Sequence, residues 1–177
     1  MDKVLIIPPE KIGNNFITKE YIPNGQDEYY QRNKQTNVPI SGWRNLRSDE
    51  VEILVKNDNT ADNWDKILVT DQFDPHQIKN SRFYGLVRIG CLRNVILQHH
   101  DLMVPSGITN SLIISCDLGD NVAIHNVHYL AHYIIGNRCI LFNVQEMHTT
   151  DHAKFGNGVV KEGEPENVRT WLDLMNE

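Results

Sequence analysis

A phrase of four residues recurs five times between residues 78 and 144, and it limits what this chain can fold into. The phrase is an aliphatic residue, any residue, Asn, and then Ser or Val. Successive asparagines of the phrase are 14, 16, 16 and 17 residues apart, and they are Asn80, Asn94, Asn110, Asn126 and Asn143. A period this short is too small for a helical-hairpin repeat and is typical of one coil of a β-helix.

A second marker lies between the asparagines, a glycine that follows Leu or Ile at Gly90, Gly119 and Gly136. In a β-helix, equivalent residues of successive coils stack at the strand spacing of ~4.8 Å. Stacked Asn side chains can hydrogen-bond along the ladder that they form, and both Asn and Gly tolerate the left-handed backbone of sharp corners. The Ile or Leu two places before each Asn is expected to point inward. The repeat therefore predicts a mainly β chain wound as a parallel β-helix.

Size and charge narrow the function classes. A chain of 177 residues is long enough for one good core, and a net charge of −6 without any basic cluster argues against a nucleic-acid partner. The three cysteines show no metal-like spacing, and their odd number favours reduced thiols in the cytoplasm. The apolar run of residues 4–7 is too short for a signal peptide, and no later stretch predicts a membrane span.

Three regions are expected along the chain. Residues 1–76 are expected to form an N-terminal arm with short helices, residues 77–162 the β-helix coils, and residues 163–177 a C-terminal helix. The first 46 residues are expected to lie on the rest of the chain or on a neighbour. The C-terminal helix either caps the open end of the coils, or the chain is an N-terminal fragment of a longer solenoid. In the arm, a helix is expected from Ser48, capped by that residue, with the apolar residues Val51, Leu54 and Val55 on its buried face.

Two coils are longer than the others. From Asn to the next Gly the distance is 13 residues in the second and fifth coils and 9 or 10 in the rest. Extra residues cannot enter a stacked wall, so they are expected to bulge outward at residues 98–101 and 148–152. These bulges and the stretch between them hold most of the histidines of the chain.

Two stretches resemble a known repeat. Leu118-Gly119-Asp120-Asn121-Val122-Ala123-Ile124 and Ile135-Gly136-Asn137-Arg138-Cys139-Ile140-Leu141 are similar to hexapeptide repeats of the left-handed parallel β-helix, which acyltransferases and sugar-nucleotide pyrophosphorylases use. A closer resemblance rests on the run from about Trp43 through Trp64-Asp65-Lys66 to His148-Thr149-Thr150-Asp151-His152-Ala153-Lys154-Phe155-Gly156-Asn157-Gly158. Over residues 43–177 the chain resembles an uncharacterised family of long, cytosolic β-helical proteins, domain of unknown function 4954. This resemblance implies a left-handed, hexapeptide-like solenoid, a homo-oligomer, and a chain that continues further in its relatives.

The first functional hypothesis, a transferase, follows from the hexapeptide resemblance. Such enzymes place a histidine on the coil surface as general base, and histidine suits that role because its ordinary pKa lies near neutrality. The resemblance implies an acyl-CoA or nucleotide sugar as cofactor or donor, and a nucleotide-linked or amino sugar as acceptor. The candidate catalytic residues are His125, His128, His132, His148, Asp151 and His152. The alternative for each histidine is an ordinary wall residue, and Asn126 and Asn143 are expected in the ladder rather than as oxyanion donors.

Two other hypotheses stay open. His128/His132 and His148/His152 are i, i+4 pairs, and β-helical carbonic anhydrases bind a metal through histidines of neighbouring coils. Residues four apart do not share a face of a β coil, so a metal site would require a special loop conformation. The solenoid could instead be a non-catalytic scaffold or binding module, because fold does not fix function.

Overall fold

The structure is a computed structural model, and it describes residues 4–14, 16–19, 22–36 and 38–149. The α-helices in these residues are α1 (Tyr30–Gln35) and α2 (Ser48–Lys56), and 3-10 turns lie at Pro9–Lys11, Ile40–Gly42, Trp64–Lys66 and Pro75–Gln77. The strands are β1 (Arg44–Asn45), β2 (Thr60–Ala61), β3 (Ile67–Val69), β4 (Ile78–Lys79), β5 (Arg82–Tyr84), β6 (Val87–Ile89), β7 (Ile96–His99), β8 (Leu102–Pro105), β9 (Gly107–Thr109), β10 (Leu112–Ile114), β11 (Asp117–Leu118), β12 (Ala123–His125), β13 (Leu130–Ala131), β14 (Ile134–Ile135), β15 (Ile140–Phe142) and β16 (Met147–His148). The chain is therefore mainly β, as predicted.

The strands form three walls that the chain visits in turn. The first wall has the order β1-β3-β6-β11-β14, the second β16-β13-β10-β5-β2, and the third β15-β12-β9-β4. Neighbours within each wall are parallel, except that β1 runs antiparallel to β3 at one edge. This arrangement is a β-solenoid, and it confirms the fold class read from the repeat. Its walls include β2 and β3, so the first coil begins near residue 60 rather than at the expected residue 77.

An aliphatic column fills the solenoid behind the third wall. Ile78, Ile108, Ile124 and Leu141 are direct partners in successive strands, and the three isoleucines are completely buried. Burial of one such side chain stabilises the fold by about 1.5–3 kcal/mol. The prediction that the residue two places before each Asn points inward is therefore confirmed for these four coils.

The asparagines of the same four coils form the predicted ladder. The side-chain Nδ2 of Asn80 donates to Oδ1 of Asn110 at 2.8 Å, Asn110 donates to Asn126 at 3.0 Å, and Asn126 donates to Asn143 at 3.0 Å. All four have left-handed backbone, with φ between 47° and 56°. Asparagine therefore serves two purposes at these positions: it adopts the left-handed backbone of the corner, and its side chain forms the hydrogen bonds of the ladder.

The prediction that Asn94 belongs to the asparagine ladder is wrong. The strand β4 pairs directly with β9, so Ile78 and Ile108 belong to consecutive coils although they are 30 residues apart. The chain leaves the walls between them, and β7 and β8 form a separate antiparallel hairpin. The asparagine spacings of 14 and 16 residues therefore suggest two coils, whereas the structure has one coil with a long insertion. The prediction that this insertion bulges outward is correct.

The glycine column has a steric cause. A Cβ atom built on Gly90 would lie 2.5 Å from Oδ1 of Asp120, and one built on Gly119 would lie 2.5 Å from Oδ1 of Asn137. These oxygens accept main-chain N–H groups, from Cys91 and Asp120 respectively, each at 2.8 Å. Glycine therefore leaves room for the polar side chain of the next coil to reach the backbone.

Parts of the N-terminal arm pack against the solenoid, through Gly13 and Arg32. The helix α2 covers the first coil through Leu54, which is 1% exposed, whereas Val55 is 53% exposed and does not point inward. The N-cap of α2 is Arg47 rather than Ser48, because the buried Glu50 carboxylate accepts the Arg47 N–H at 2.8 Å. Residues 150–177, including the expected C-terminal helix and most of the fifth-coil bulge, lie outside the described residues.

We predict that Asn110→Ala destabilises the chain far more than Asn94→Ala. The first change removes two ladder hydrogen bonds and places alanine in left-handed backbone, so we expect a loss of about 1–3 kcal/mol in the free energy of unfolding. The second lies in the insertion and should change it by less than about 0.5 kcal/mol. Urea unfolding measures both, and equal losses would contradict the ladder.

The glycine column gives a second matched pair. Gly119→Ala should cost about 1–3 kcal/mol because the new methyl group meets the Asn137 side chain and the backbone of Gly136. Gly136→Ala is the control, because its nearest neighbour is the Cys139 sulfur at 3.7 Å, an ordinary contact. Thermal unfolding of the two variants compares them, and a Gly136→Ala protein that loses as much stability would refute the steric explanation.

Candidate functional site

The histidines that are close in sequence lie on different parts of the solenoid. His125 is in β12 of the third wall, His128 follows the next corner, and His148 is in β16 of the second wall. His132 follows β13 at the corner that leads to the first wall. Asp151 and His152 lie outside the described residues. The four described candidates therefore do not converge on one site.

His125 is held between two elements. Its ring is 7% exposed, with Nε2 2.8 Å from the carbonyl oxygen of Pro105 and Nδ1 2.7 Å from the hydroxyl of Thr109. A carbonyl can only accept, so Nε2 carries a proton and donates it. Both ring nitrogens are occupied: the Nε2 contact ties the base of the hairpin to the third wall, and the Nδ1 contact joins two neighbouring strands of that wall.

His128 and His148 are exposed and hydrogen-bonded to neighbouring side chains. Nδ1 of His128 lies 2.8 Å from Oε1 of Gln145 in the next coil. Its ring borders an open cleft of about 450 Å³ beside the asparagine ladder. Nδ1 of His148 lies 3.0 Å from a carboxylate oxygen of Glu146. Neither ring is enclosed with other chemically active groups.

His132 lines a partly open pocket, which we call the arm pocket because the N-terminal arm forms one side of it. The pocket has a volume of about 120 Å³. Its lining combines arm residues and corner residues: Gly13, Phe16, Ile17, Glu28, Tyr29, Arg32, Gln35, Ser115, His132, Tyr133 and Ile134. The ring of Phe16 stacks on that of His132, with centroids 3.9 Å apart and planes 6° from parallel. The arm thus supplies aromatic surface, and the solenoid supplies the imidazole.

Local backbone geometry places His132 there. Its φ is 64°, in the left-handed region, and Gly85 and Ser115 occupy the same corner in earlier coils with φ of 64° and 47°. Histidine is one of the few side chains enriched in this region. The Ser115 hydroxyl donates to the carbonyl oxygen of Gly13 at 2.5 Å and fixes the arm against the corner.

The surroundings of His132 keep it uncharged. Burial, and to a smaller extent electrostatic repulsion from Arg32 and His148, lowers the pKa of His132 to about 4. Burial and the carboxylate of Glu28 raise the pKa of the Tyr29 phenol. At neutral pH the arm pocket therefore contains an uncharged imidazole and a protonated phenol, beside one guanidinium and one carboxylate.

A buried charge cluster lies beneath the arm. Arg32 Nη2 is 2.5 Å from Asp117 Oδ1 and donates to the carbonyl oxygen of Leu86 at 3.0 Å. Arg88 Nη1 is 3.6 Å from Asp117 Oδ2, and burial lowers the pKa of the Arg88 guanidinium. Two arginines therefore share one carboxylate and join α1 to the first wall. No repeat pointed to these residues, because Arg32 lies in the aperiodic arm.

Metal-ligating groups do not cluster in the part of the chain that the structure describes. No three His, Cys, Asp or Glu side chains there are close enough to hold an ion. Cys116 is completely buried, and burial raises the pKa of its thiol to about 11, as expected for a core residue.

No helix among the described residues is long and apolar enough to cross a membrane.

The lowered pKa of His132 predicts a pH-dependent stability. Because its folded-state pKa lies below the value of about 6.5 in the unfolded chain, the unfolded state binds more protons between pH 6.5 and 4. This contribution is fully present above about pH 6.5 and is lost as the pH falls toward 4. His132→Asn, which keeps a residue suited to left-handed backbone, should flatten the melting-temperature curve in this window.

The matched control for this titration is His128→Asn, at an exposed ring outside the arm pocket. Its melting temperature should keep the wild-type dependence on pH. Circular dichroism melts between pH 4 and 6.5 measure the melting temperatures of the wild type and the two variants. If the melting temperature of His132→Asn depends on pH as that of the wild type does, protonation of this ring does not oppose folding.

Comparison with known proteins places the chain among its relatives. The family described as domain of unknown function (DUF4954) matches residues 43–167. An uncharacterized protein of Treponema pallidum (strain Nichols) is 48% identical over 175 residues, which are 99% of this chain and 24% of that protein. The chain thus spans about a quarter of the length of this relative. No solved structure matches the chain. From the family match and its β-solenoid fold, the chain belongs to the DUF4954 family.

Proposed function

We propose that this chain is a ligand-binding segment of a β-solenoid protein, with the arm pocket as its binding site. The observation that carries the proposal is the meeting of two distant parts of the chain around a concave, partly open pocket. Phe16 and Tyr29 come from the arm, and His132 and Tyr133 come from the solenoid corner. Ligand sites are commonly concave, mainly apolar and equipped with a few convergent polar groups.

The size of the pocket limits the part of a ligand that enters it. A volume of about 120 Å³ corresponds to roughly four water molecules at their liquid volume of about 30 Å³ each. One ring or one short acyl chain fits such a space, whereas a whole nucleotide sugar or acyl-CoA does not. A larger ligand would place one end in the pocket and leave the rest on the surface.

The lining favours a flat or apolar group that carries hydroxyl or amide functions. The aromatic faces of Phe16 and Tyr133 supply apolar area, and the Tyr29 phenol can donate a hydrogen bond. The free nitrogens of His132 have no hydrogen-bond partner among the described residues, so one can accept from a ligand hydroxyl. Sugar rings and acyl amides are the ligand classes that combine these features.

Group transfer is the second candidate, in which the segment belongs to a left-handed, hexapeptide-like transferase. The uncharged ring of His132 favours it, because an uncharged imidazole can take a proton from an attacking hydroxyl or amine. A pKa of about 4 makes this ring a weaker base than one with a pKa near 7. Binding without transfer is therefore the better-supported function, and the acyl-CoA or nucleotide-sugar donor rests on the hexapeptide resemblance.

Thermal shift against a panel of acyl-CoAs, nucleotide sugars and amino sugars tests the binding proposal, because a selective ligand raises the melting temperature. Phe16→Ala removes the aromatic wall of the arm pocket and should weaken binding by about tenfold or more. Phe142→Ala removes an exposed ring of the third wall and is the control. Equal affinity in both variants, or no shift across the panel, would refute the arm pocket as the site.

Once a ligand is found, His132→Asn separates binding from transfer. If the solenoid transfers a group with His132 as base, turnover should fall by about 10²-fold or more while affinity changes little. If the segment only binds, wild-type protein should show no turnover of the bound donor and acceptor. Mass spectrometry of the reaction mixture measures the product directly.

A further inference from the structure

Four aliphatic residues near the N terminus, Val4 to Ile7, have no apolar partner among the described residues. We call them the apolar segment. Val4 and Ile6 are 98% and 101% exposed, and Leu5 and Ile7 are 76% and 59% exposed. They belong to no helix or strand of the structure, and Pro8 and Pro9 end the stretch. Contiguous exposed aliphatic side chains of this kind mark interaction sites in soluble proteins.

The hairpin of β7 and β8 is the second unpartnered apolar feature. It forms a sheet of only two strands, separate from the three walls. Its pairing places Ile96 opposite Pro105 and Gln98 opposite Met103, so these four residues share one face. On this face Ile96 is 56% exposed and Met103 is 62% exposed. A two-stranded hairpin is marginally stable alone and gains stability from a third strand.

Only one edge of the hairpin is available for a further strand. The carbonyl oxygen of Pro105, in β8, bonds to His125 of the third wall, so β8 is the strand nearer the wall. Proline also lacks the N–H group that a new strand would need. The strand β7 has no proline, and its outer backbone groups pair with no wall strand. A third strand would therefore add to β7.

We propose that the apolar segment of one copy of this chain adds as a third strand to β7 of a second copy. Strand addition satisfies backbone groups on both sides, and alternate side chains then decide specificity. Val4 and Ile6 would lie on one face of the new sheet, beside Ile96. The segment has high β-propensity because three of its four residues are β-branched.

The available area agrees with a dimer made by mutual exchange. Six large apolar side chains of each copy, four in the apolar segment and two on the hairpin face, are 56–101% exposed. Their apolar surface is of the order that each partner buries in a standard interface, about 800 Å². Both complementary surfaces belong to the same chain, so a two-fold dimer covers both pairs at once. A single exchanged strand would leave half of this apolar surface in water. The partner that fits best is therefore a second copy.

Sedimentation velocity of the full chain tests the proposal. The wild-type protein should sediment with twice the chain mass of 20.4 kDa. Ile6→Lys and Met103→Lys should each return it to the mass of one chain, with an unchanged circular dichroism spectrum. Val55→Lys, at a residue that is 53% exposed on α2, is the control and should keep the dimer. A monomeric wild type, or dimers in both hairpin and segment variants, would overturn the proposal.

A cysteine experiment identifies which surfaces meet. One preparation carries Ile6→Cys and another carries Gln98→Cys, and the two are mixed and oxidised. Exchange between copies predicts a disulfide-linked species of two chains, and replacing Gln98→Cys by Val55→Cys should abolish it. Cys91 and Cys116 are buried, and the half-buried Cys139 is replaced by Ser in both preparations to remove background cross-links. A cross-link that forms only when both changes are in one chain would show that the segment covers its own hairpin, and would overturn exchange.

Discussion

The main-chain hydrogen bonds between successive coils are the interaction on which the rest of this structure depends. They hold each strand about 4.8 Å from the next, so the corners between strands must stack as well. Two of the stacked corners use left-handed backbone in several coils, which costs most residue types about 1–2 kcal/mol. Asparagine meets this demand at the third-wall corner and adds a side-chain ladder. At another corner the same demand is met by Gly85, Ser115 and His132, so the candidate site lies on a position that the fold itself constrains.

Much of the solenoid could be predicted from the sequence because its constraints repeat. The inward isoleucines, the asparagine ladder and the glycine column each leave one residue type at a regular interval. Asn94 misled the prediction because the insertion has nearly the length of one coil, so a local count cannot distinguish the two. Only the pairing of β4 with β9 separates them.

The candidate site was predicted less well, for a physical reason. Histidines close in sequence were expected to be close in space, but a solenoid brings together residues one coil apart. Thus His125 meets Thr109, His128 meets Gln145, and Thr149 donates to the carbonyl oxygen of His132. Separations of 16 or 17 residues would have identified these neighbours. The partners of His132 in the arm were not predictable in this way, because Phe16 and Arg32 belong to a stretch without periodicity.

The buried pairing of Arg32 with Asp117 has a consequence for where this unit begins. The family match starts at residue 43, so it excludes α1 and its arginine. A fragment cut at that boundary would leave Asp117 facing Arg88 alone, remove Phe16 and Tyr29 from the arm pocket, and admit water to side chains that are now 4% and 5% exposed. The part of the chain that shields the first wall therefore begins before the stretch that the family model matches, at α1.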